Sequence, residues 1–252
     1  MLGTVNAMLE SLDNFIWGLP LIVLILATGI LLTVRLRGLQ IRHLGKALRY
    51  IFHNEEDGEG EVTSFGALCT ALSATIGTGN IVGCATAIVA GGPGAMFWMW
   101  IAALFGMATK YTEGMLAVKY RQIDEEGHAL GGPFYYIEKG MGRNWRWLAK
   151  IFSVFGVMVG LFGIGTFTQV NGITSAVNNF FDPNNANTVS LFGREYSWSI
   201  VIAGIILTIC VGLVVIGGIK RISKVSEIVV PFMAVTYITV CLIIVFTHLT
   251  EL

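Results

Sequence analysis

Six apolar stretches, each long enough to cross a lipid bilayer, constrain this chain more than any other feature. They span residues 15–34, 65–90, 95–118, 151–181, 199–217 and 225–247. A transmembrane helix needs about 20 consecutive, mostly apolar residues. A large soluble helical protein is the alternative, but only 13% of the residues are charged, so six such runs would leave it too little polar surface. The sequence therefore predicts an all-α integral membrane protein with six transmembrane helices.

The basic residues predict the orientation of these helices. Fifteen of the sixteen Lys and Arg residues lie in or beside the connections that follow the first, third and fifth stretches, and only Arg194 lies on the other side. Because cytoplasmic connections carry an excess of Lys and Arg, we predict an external N-terminus and cytoplasmic basic loops, in the plasma (inner) membrane. The net charge of zero predicts no nucleic acid as partner, and the apolar stretches predict a lipid bilayer. The acidic run at 55–61 is predicted to be a solvated cytoplasmic loop.

The second stretch carries helix-weakening residues in its middle, in the segment "ATIGTGNIVG" at 74–83. Glycine costs a helix interior about 1 kcal/mol relative to alanine, so Gly77 and Gly79 predict a break within a helix at 64–90. The N–H groups that begin the outer half suit a carboxylate, and the carbonyls that end the inner half suit Na⁺. Thr75, Thr78 and Asn80 add neutral oxygens. A kinked helix with packing glycines, in a channel or scaffold, remains the alternative.

Other polar residues refine this hypothesis. Gln169 lies within or near the hydrocarbon, where it needs a partner on another helix, a water or a ligand. Glu113 is read as the deepest carboxylate, paired with Lys110 three residues earlier. The central parts of the stretches hold no carboxylate, which disfavours proton coupling and favours a neutral zwitterion taken up with Na⁺. Gly156 and Gly160 predict a close helix contact. The absence of a nucleophile–His–acid arrangement, metal cluster or phosphate loop predicts that the chain is not an enzyme.

Three motifs resemble those of the alanine/glycine:cation symporter family, also called sodium:alanine symporters or amino acid carrier proteins. They are "ALSATIGTGNIVG" at 71–83, "GGPGAMFWMWIAALFGMATKYTEGMLAVKYR" at 91–121 and "GGPFYYIEKGMG" at 131–142. The resemblance covers essentially the whole chain, as the N-terminal half of a family member. It implies a leucine-transporter-like fold of eleven helices: an extra leading helix, then two five-helix repeats of inverted topology. Residues 1–62 would be the leading helix and a cytoplasmic loop, residues 63–252 the first repeat, and the second repeat would be absent from this chain.

The resemblance also implies a function and a site. The function is sodium-coupled symport of small neutral amino acids, with L-alanine, glycine and D-alanine as expected substrates, Na⁺ as coupling ion and no organic cofactor. Backbone N–H groups at the break would hold the substrate carboxylate, and carbonyls with one amide side chain would form two sodium sites. The predicted substrate-binding residues are Gly77, Thr78, Gly79 and Gln169, and the predicted sodium ligands are Ser73, Thr75, Ile76 and Asn80. The alternative function is a non-transporting membrane module, either a channel-like subunit or an inactive fragment.

Overall fold

A computed structural model describes residues 2–53, 62–125, 127–163, 165–191 and 193–248. The predicted acidic loop at 55–61 lies outside these described residues. Helices dominate the described part of the chain. They are α1 (Leu2–Ile16), α2 (Leu19–Arg35), α3 (Leu39–Arg42), α4 (Leu44–Phe52), α5 (Ser64–Thr75), α6 (Thr78–Gly91), α7 (Pro93–Lys119), α8 (Pro133–Gly140), α9 (Arg146–Leu161), α10 (Thr166–Phe181), α11 (Trp198–Val215) and α12 (Gly218–Thr247). Two antiparallel hairpins accompany them, formed by β1 (Gln122–Ile123) with β2 (Ala129–Leu130) and by β3 (Thr188–Leu191) with β4 (Arg194–Ser197).

Four segments among the described residues are long and apolar enough to cross a membrane: Thr4–Arg35, Arg143–Phe181, Trp198–Val215 and Gly218–Thr247. The pair α5 and α6 meets the same test as one span that is bent by 49°. Helix α7 has 27 residues and is therefore about 40 Å long, enough to cross, but it does not reach the hydropathy of the others. An all-α membrane protein is thus supported, with four or five of the six predicted spans recovered on both length and composition.

Contacts divide the chain into two compact units. The first comprises Met1–Arg49 and Thr86–Gly156. Its α2 packs against α7, where Gly29 is buried so close to Phe105 that an added Cβ would lie 3.0 Å from the Phe105 carbonyl oxygen. In the same unit Lys110 and Glu113 form the predicted ion pair at 2.8 Å.

The second unit comprises Tyr50–Ala85 and Val157–Leu252, and it contains the break in the second stretch. Its α5 packs along α12, and its α10 packs against α11. Beyond α10, the buried carboxylate of Asp182 accepts hydrogen bonds from the N–H groups of Ala186 and Asn187 and from the hydroxyl of Ser197. These bonds connect the end of α10 to the β3–β4 hairpin and the start of α11.

The fourth apolar stretch is also broken, which the sequence analysis did not predict. Helix α9 ends at Leu161 and α10 begins at Thr166, with Gly163 and Gly165 between them at positive φ values of 59° and 90°. L-residues with side chains rarely adopt such values, so these glycines permit the turn. A Cβ added at Gly156 or Gly160 would meet nothing within 4 Å among the described residues, so the close helix contact predicted for this pair stays a prediction.

Candidate functional site

The break in the second stretch lies at residues 76–77, between two helices of a dozen residues or slightly more. The last hydrogen bond of α5 runs from the Ile76 N–H to the Leu72 carbonyl. Among the described residues, the carbonyls that follow it at Ser73, Thr75 and Ile76 accept no backbone N–H. The final carbonyls of any helix lack an intrahelical partner, and here the bend prevents α6 from providing one. Three predicted sodium ligands therefore present unoccupied carbonyl oxygens at the break.

The start of α6 is held by a glutamine from another helix. The Oε1 atom of Gln169, on α10, accepts two hydrogen bonds from Thr78, one from the backbone N–H at 2.9 Å and one from the Oγ1 hydroxyl at 2.9 Å. Thr78 is the first residue of α6, so its N–H is one of the groups that a helix cannot satisfy internally. The N–H of Thr78, which was predicted to bind the substrate carboxylate, thus donates to the carboxamide oxygen of Gln169, which was predicted to face the substrate.

Two glycines permit this close approach of α10 to the break. A Cβ added at Gly77 would contact the Gln169 carboxamide, with its Oε1 only 2.8 Å away. A Cβ added at Gly172, one turn further along α10, would lie 2.6 Å from the Thr78 Cγ2 atom. Both distances are shorter than real contacts allow, so a larger residue at either position would displace the Gln169 or Thr78 side chain from this arrangement. Gly79, by contrast, is exposed, and a Cβ there would meet nothing within 4 Å.

The site has a positive electrostatic character although it contains no basic side chain. Thr78 begins α6. Gln169 lies in the first turn of α10, because α9 ends at Leu161 and α10 begins only at Thr166. The N-terminus of a helix carries about half a positive charge, so the end of α6 at Thr78 faces the carboxamide oxygen with a partial positive charge. A negatively charged group is therefore the ligand that this position favours.

The side chains of the predicted sodium ligands lie close to the break. The hydroxyl of Thr75 donates to the Ala71 carbonyl at 2.8 Å, and the hydroxyl of Ser73 donates to the Thr70 carbonyl at 2.7 Å. Asn80 lies in the first turn of α6 with an exposed side chain. The structure thus brings Gly77, Thr78 and Gln169 together, whereas within the described part of the chain no hydrogen bond joins the side chains of the predicted sodium ligands.

Another carboxylate of this unit, Glu227, is not among the residues that the sequence singles out. The sequence predicts Glu113 as the deepest acidic residue, and Glu227 lies only two positions after the start of the sixth apolar stretch at residue 225. Helix α12 begins earlier, at Gly218, so Glu227 lies more than two turns inside it. There it is half-buried and accepts a hydrogen bond from the Thr63 hydroxyl at 2.9 Å. The helical spacing of Ser223, Ser226, Glu227 and Val230 on one face of α12 was the available signal.

The sequence of this chain is similar to those of known proteins. The model of the sodium:alanine symporter family matches residues 2–252. An uncharacterized transporter of Haemophilus influenzae is 52% identical over 98% of this chain and 51% of its own length. The sodium/alanine symporter AgcS of Methanococcus maripaludis is 46% identical over 94% of this chain and 50% of its own length. The amino-acid carrier protein AlsT of Bacillus subtilis is 34% identical over 97% of this chain and 48% of its own length. The chain spans about half the length of the curated relatives it matches.

Proposed function

The chain belongs to the sodium:alanine symporter family, and we propose that it serves sodium-coupled symport of small neutral amino acids across the plasma membrane. L-alanine, glycine and D-alanine are the proposed substrates, and Na⁺ is the proposed coupling ion. The name of the Methanococcus maripaludis relative, a sodium/alanine symporter, supports this choice. Family membership does not favour the alternative of a non-transporting module, and it makes the chain part of a transporter family and not of an enzyme family.

The observation that carries the proposal is the pair of hydrogen bonds from Thr78 to the Gln169 oxygen. An oxygen acceptor already occupies the position at the break where an amino-acid carboxylate would bind, 2.9 Å from both donors. A carboxylate would fit this position better than a carboxamide, because the N-terminal end of α6 stabilises negative charge. Substrate binding then consists of exchanging the neutral oxygen for a charged one. The displaced carboxamide remains close enough to donate its N–H₂ group to the same carboxylate.

The packing around this position supports small substrates. Gly77 and Gly172 already lie within contact distance of the Gln169 and Thr78 side chains, so this wall of the site has little room. The open space lies at Gly79. A ligand that places its carboxylate on Thr78 would therefore have its α-carbon near Gly79, where the space is open, with the wall at Gln169 limiting the room on its other side.

Neutral oxygens beside the break are the proposed sodium ligands. Sodium is a hard cation that prefers oxygen donors, and carbonyls at an unwound helix end supply them. We assign the Thr75 carbonyl and the Asn80 side chain to one site, and the Ser73 and Ile76 carbonyls to a second. A cation there would offset the negative charge of the bound carboxylate, so that each ligand stabilises the other.

The proposed setting of the site follows from the same family. We assign residues 1–62 to a leading helix and loop, and residues 63–252 to the first of two inverted five-helix repeats in a leucine-transporter-like fold. The N-terminus would face outside and the basic loops the cytoplasm, as the distribution of Lys and Arg predicts. In that arrangement α5 is the cytoplasmic half of the broken helix and α6 its outer half.

Uptake measurements test the proposed function. Purified protein in proteoliposomes should accumulate labelled alanine under an inward Na⁺ gradient and not under a matched K⁺ gradient. Absence of Na⁺-dependent uptake together with absence of Na⁺-dependent alanine binding in detergent would refute the proposal. Binding without uptake would retain the site and refute transport by this chain.

Two substitutions test the assigned residues within that assay. Asn80→Ala should weaken the sodium dependence of alanine binding, so an unchanged sodium activation curve would remove Asn80 from the site. Gly79→Leu should fill the open space beside Thr78 and abolish alanine binding, so a parental affinity would place the substrate elsewhere.

A further inference from the structure

The connection that follows the first membrane span is basic and contains no acidic residue. The span ends at Arg35, and residues 14–54 include no Asp or Glu. The basic residues of this connection are Arg35, Arg37, Arg42, Lys46 and Arg49. Within the described part of the chain, none of these five side chains forms an ion pair. Their positive charge is therefore not compensated by any described carboxylate.

A defined helix end separates the span from the helices that follow it. The Arg37 N–H donates to the Val34 carbonyl at 3.0 Å, and the Gly38 N–H donates to the Thr33 carbonyl at 2.9 Å. These two bonds form the Schellman motif of a helix C-terminus. Arg37 and Gly38 have positive φ values of 55° and 65°, so α2 does not continue past them. Helices α3 and α4 are therefore a separate segment, and only residues 36–38 connect it to the membrane span.

Helix α4 has an apolar face and a basic face. The apolar residues follow the helical spacing i, i+3, i+4 and i+7, and they are Leu44, Ala47, Leu48 and Ile51. Successive residues of a helix are rotated by about 100°, so Lys46 and Arg49 lie on the side opposite to this face. An amphipathic helix with Lys and Arg on its polar face lies parallel to a membrane surface, with its apolar face in the outer part of the acyl region.

The apolar face of α4 is uncovered among the described residues of its unit. Leu44 and Leu48 are 54% and 53% exposed, and no described helix or strand of that unit packs along α4. Contacts nevertheless hold the segment beside the membrane at both ends. At one end α3 packs against α7, and at the other the Phe52 ring stacks on the Phe65 ring, with centroids 6.0 Å apart. Phe65 begins the second apolar stretch, so lipid is the apolar phase within reach of Leu44 and Leu48.

We propose that α4 is an interfacial helix that binds anionic phospholipids of the inner leaflet. Leu44, Leu48 and Ile51 enter the acyl region, and Lys46 and Arg49 bind the headgroup phosphates. Clusters of Lys and Arg immediately cytoplasmic of a membrane span attract anionic headgroups, and their long side chains reach the phosphates from a helix whose apolar face is in lipid. This site is separate from the proposed transport site, and it rests on the orientation in which the basic loops face the cytoplasm.

Native mass spectrometry of the purified full chain, released from a nonionic detergent, measures the lipid preference. The probes are dioleoyl phosphatidylglycerol, which is anionic, and dioleoyl phosphatidylcholine, which has the same acyl chains and no net charge. The parent should bind phosphatidylglycerol more tightly than phosphatidylcholine. The double variant Lys46→Gln with Arg49→Gln should lose about 30-fold in phosphatidylglycerol affinity, as expected for removing two basic residues beside an anionic headgroup. Its phosphatidylcholine affinity should not change.

Two control variants separate the charge on α4 from other effects. Lys46→Arg with Arg49→Lys keeps both charges and should keep the parental phosphatidylglycerol affinity. Lys110→Gln, in the same unit, removes a charge that Glu113 already pairs at 2.8 Å, and it should also keep that affinity. Melting curves in detergent show whether each variant folds.

Spin labels test the position of α4 independently of lipid affinity. The labels are attached at Leu48→Cys or at Lys46→Cys in nanodiscs that contain phosphatidylglycerol, after alanine has replaced Cys84, Cys210 and Cys241. Cys69 is 1% exposed and can stay. The label at position 48 should be accessible to molecular oxygen, which dissolves preferentially in the acyl region. The label at position 46 should be accessible to a water-soluble nickel chelate.

Equal affinity of the parent for the two lipids would overturn the proposal, and so would exposure of both spin labels to the nickel chelate. Parental phosphatidylglycerol affinity in Lys46→Gln with Arg49→Gln would also overturn it. That result together with a lower melting temperature would assign the two charges to a contact within the chain, such as one with the acidic run at 55–61. All of these measurements are made without amino acid or Na⁺, so the proposed transport function fails separately, by absence of sodium-dependent alanine binding.

Discussion

Replacing Gln169 by glutamate would place a negative charge at the position that we assign to the substrate carboxylate. The introduced carboxylate could accept the same two hydrogen bonds from Thr78 that the carboxamide oxygen accepts at 2.9 Å. It would bind there more strongly than the amide, because the N-terminal end of α6 favours negative charge. We expect Gln169→Glu to lose alanine binding and to keep the fold.

The magnitude follows from the distances at the site. A substrate carboxylate near Thr78 would lie about 4 Å from the introduced carboxylate, where two like charges repel by about 4 kcal/mol at an effective dielectric constant of about 20. That energy corresponds to a factor of about 1,000 in affinity, since every 1.4 kcal/mol is about tenfold. Side-chain rearrangement would relieve part of it, so an affinity loss of about 100-fold or more is expected.

Equilibrium binding of labelled alanine to purified protein in saturating Na⁺ is the assay. Asn171→Asp is the matched control, because Asn171 is exposed on the same helix and its substitution adds the same charge away from Thr78. This control should bind alanine within a few-fold of the parent, and melting curves should show that both variants fold. An affinity of Gln169→Glu indistinguishable from that of the parent would refute the carboxylate position at Thr78.

Three further predictions concern stability. Gly77→Ala should lower the unfolding free energy by about 1–3 kcal/mol, because the added methyl group overlaps the Gln169 carboxamide. Gly79→Ala should not lower it, because the space at Gly79 is open, and melting temperatures compare the two variants. Gly29→Ala should also lower the unfolding free energy by about 1–3 kcal/mol, because the methyl group would push α2 away from α7. Its control is Gly106→Ala in the same unit, where a Cβ would meet nothing within 4 Å, and this variant should have an unchanged or higher melting temperature. The pKa of Asp182 lies below its usual 3.8 because two backbone N–H groups donate to the carboxylate, so its contribution to stability is complete above that value and is lost as the pH falls through the lower, folded-state pKa. Melting temperatures measured from about pH 5 downwards should show this acid step, and Asp182→Asn should diminish it.

From the sequence alone follow the all-α membrane class, with four or five of the six predicted spans recovered, and the place where one helix breaks. Local features decide both: a run of apolar residues has few stable environments other than lipid, and the glycines at 77 and 79 weaken any helix that contains them. The break was predicted at 77–79 and observed at 76–77, and the Lys110–Glu113 pair follows from helical spacing alone. The importance of Gln169 was also visible, because an amide in an apolar stretch requires a partner.

Tertiary structure decided which groups meet. The hydrogen-bond partner of Gln169 is Thr78, 91 positions away in the chain. Their contact depends on the glycines at 77 and 172, whose small size matters only once α10 lies against the break. Glu227 is inconspicuous in the sequence because it lies near the edge of an apolar stretch. Its position beside the N-terminal end of α5 depends on the start of α12 at Gly218 and on the packing at Gly66. Periodicity and composition describe each helix by itself, and contacts between distant helices depend on the shape of both surfaces, which no single stretch of sequence contains.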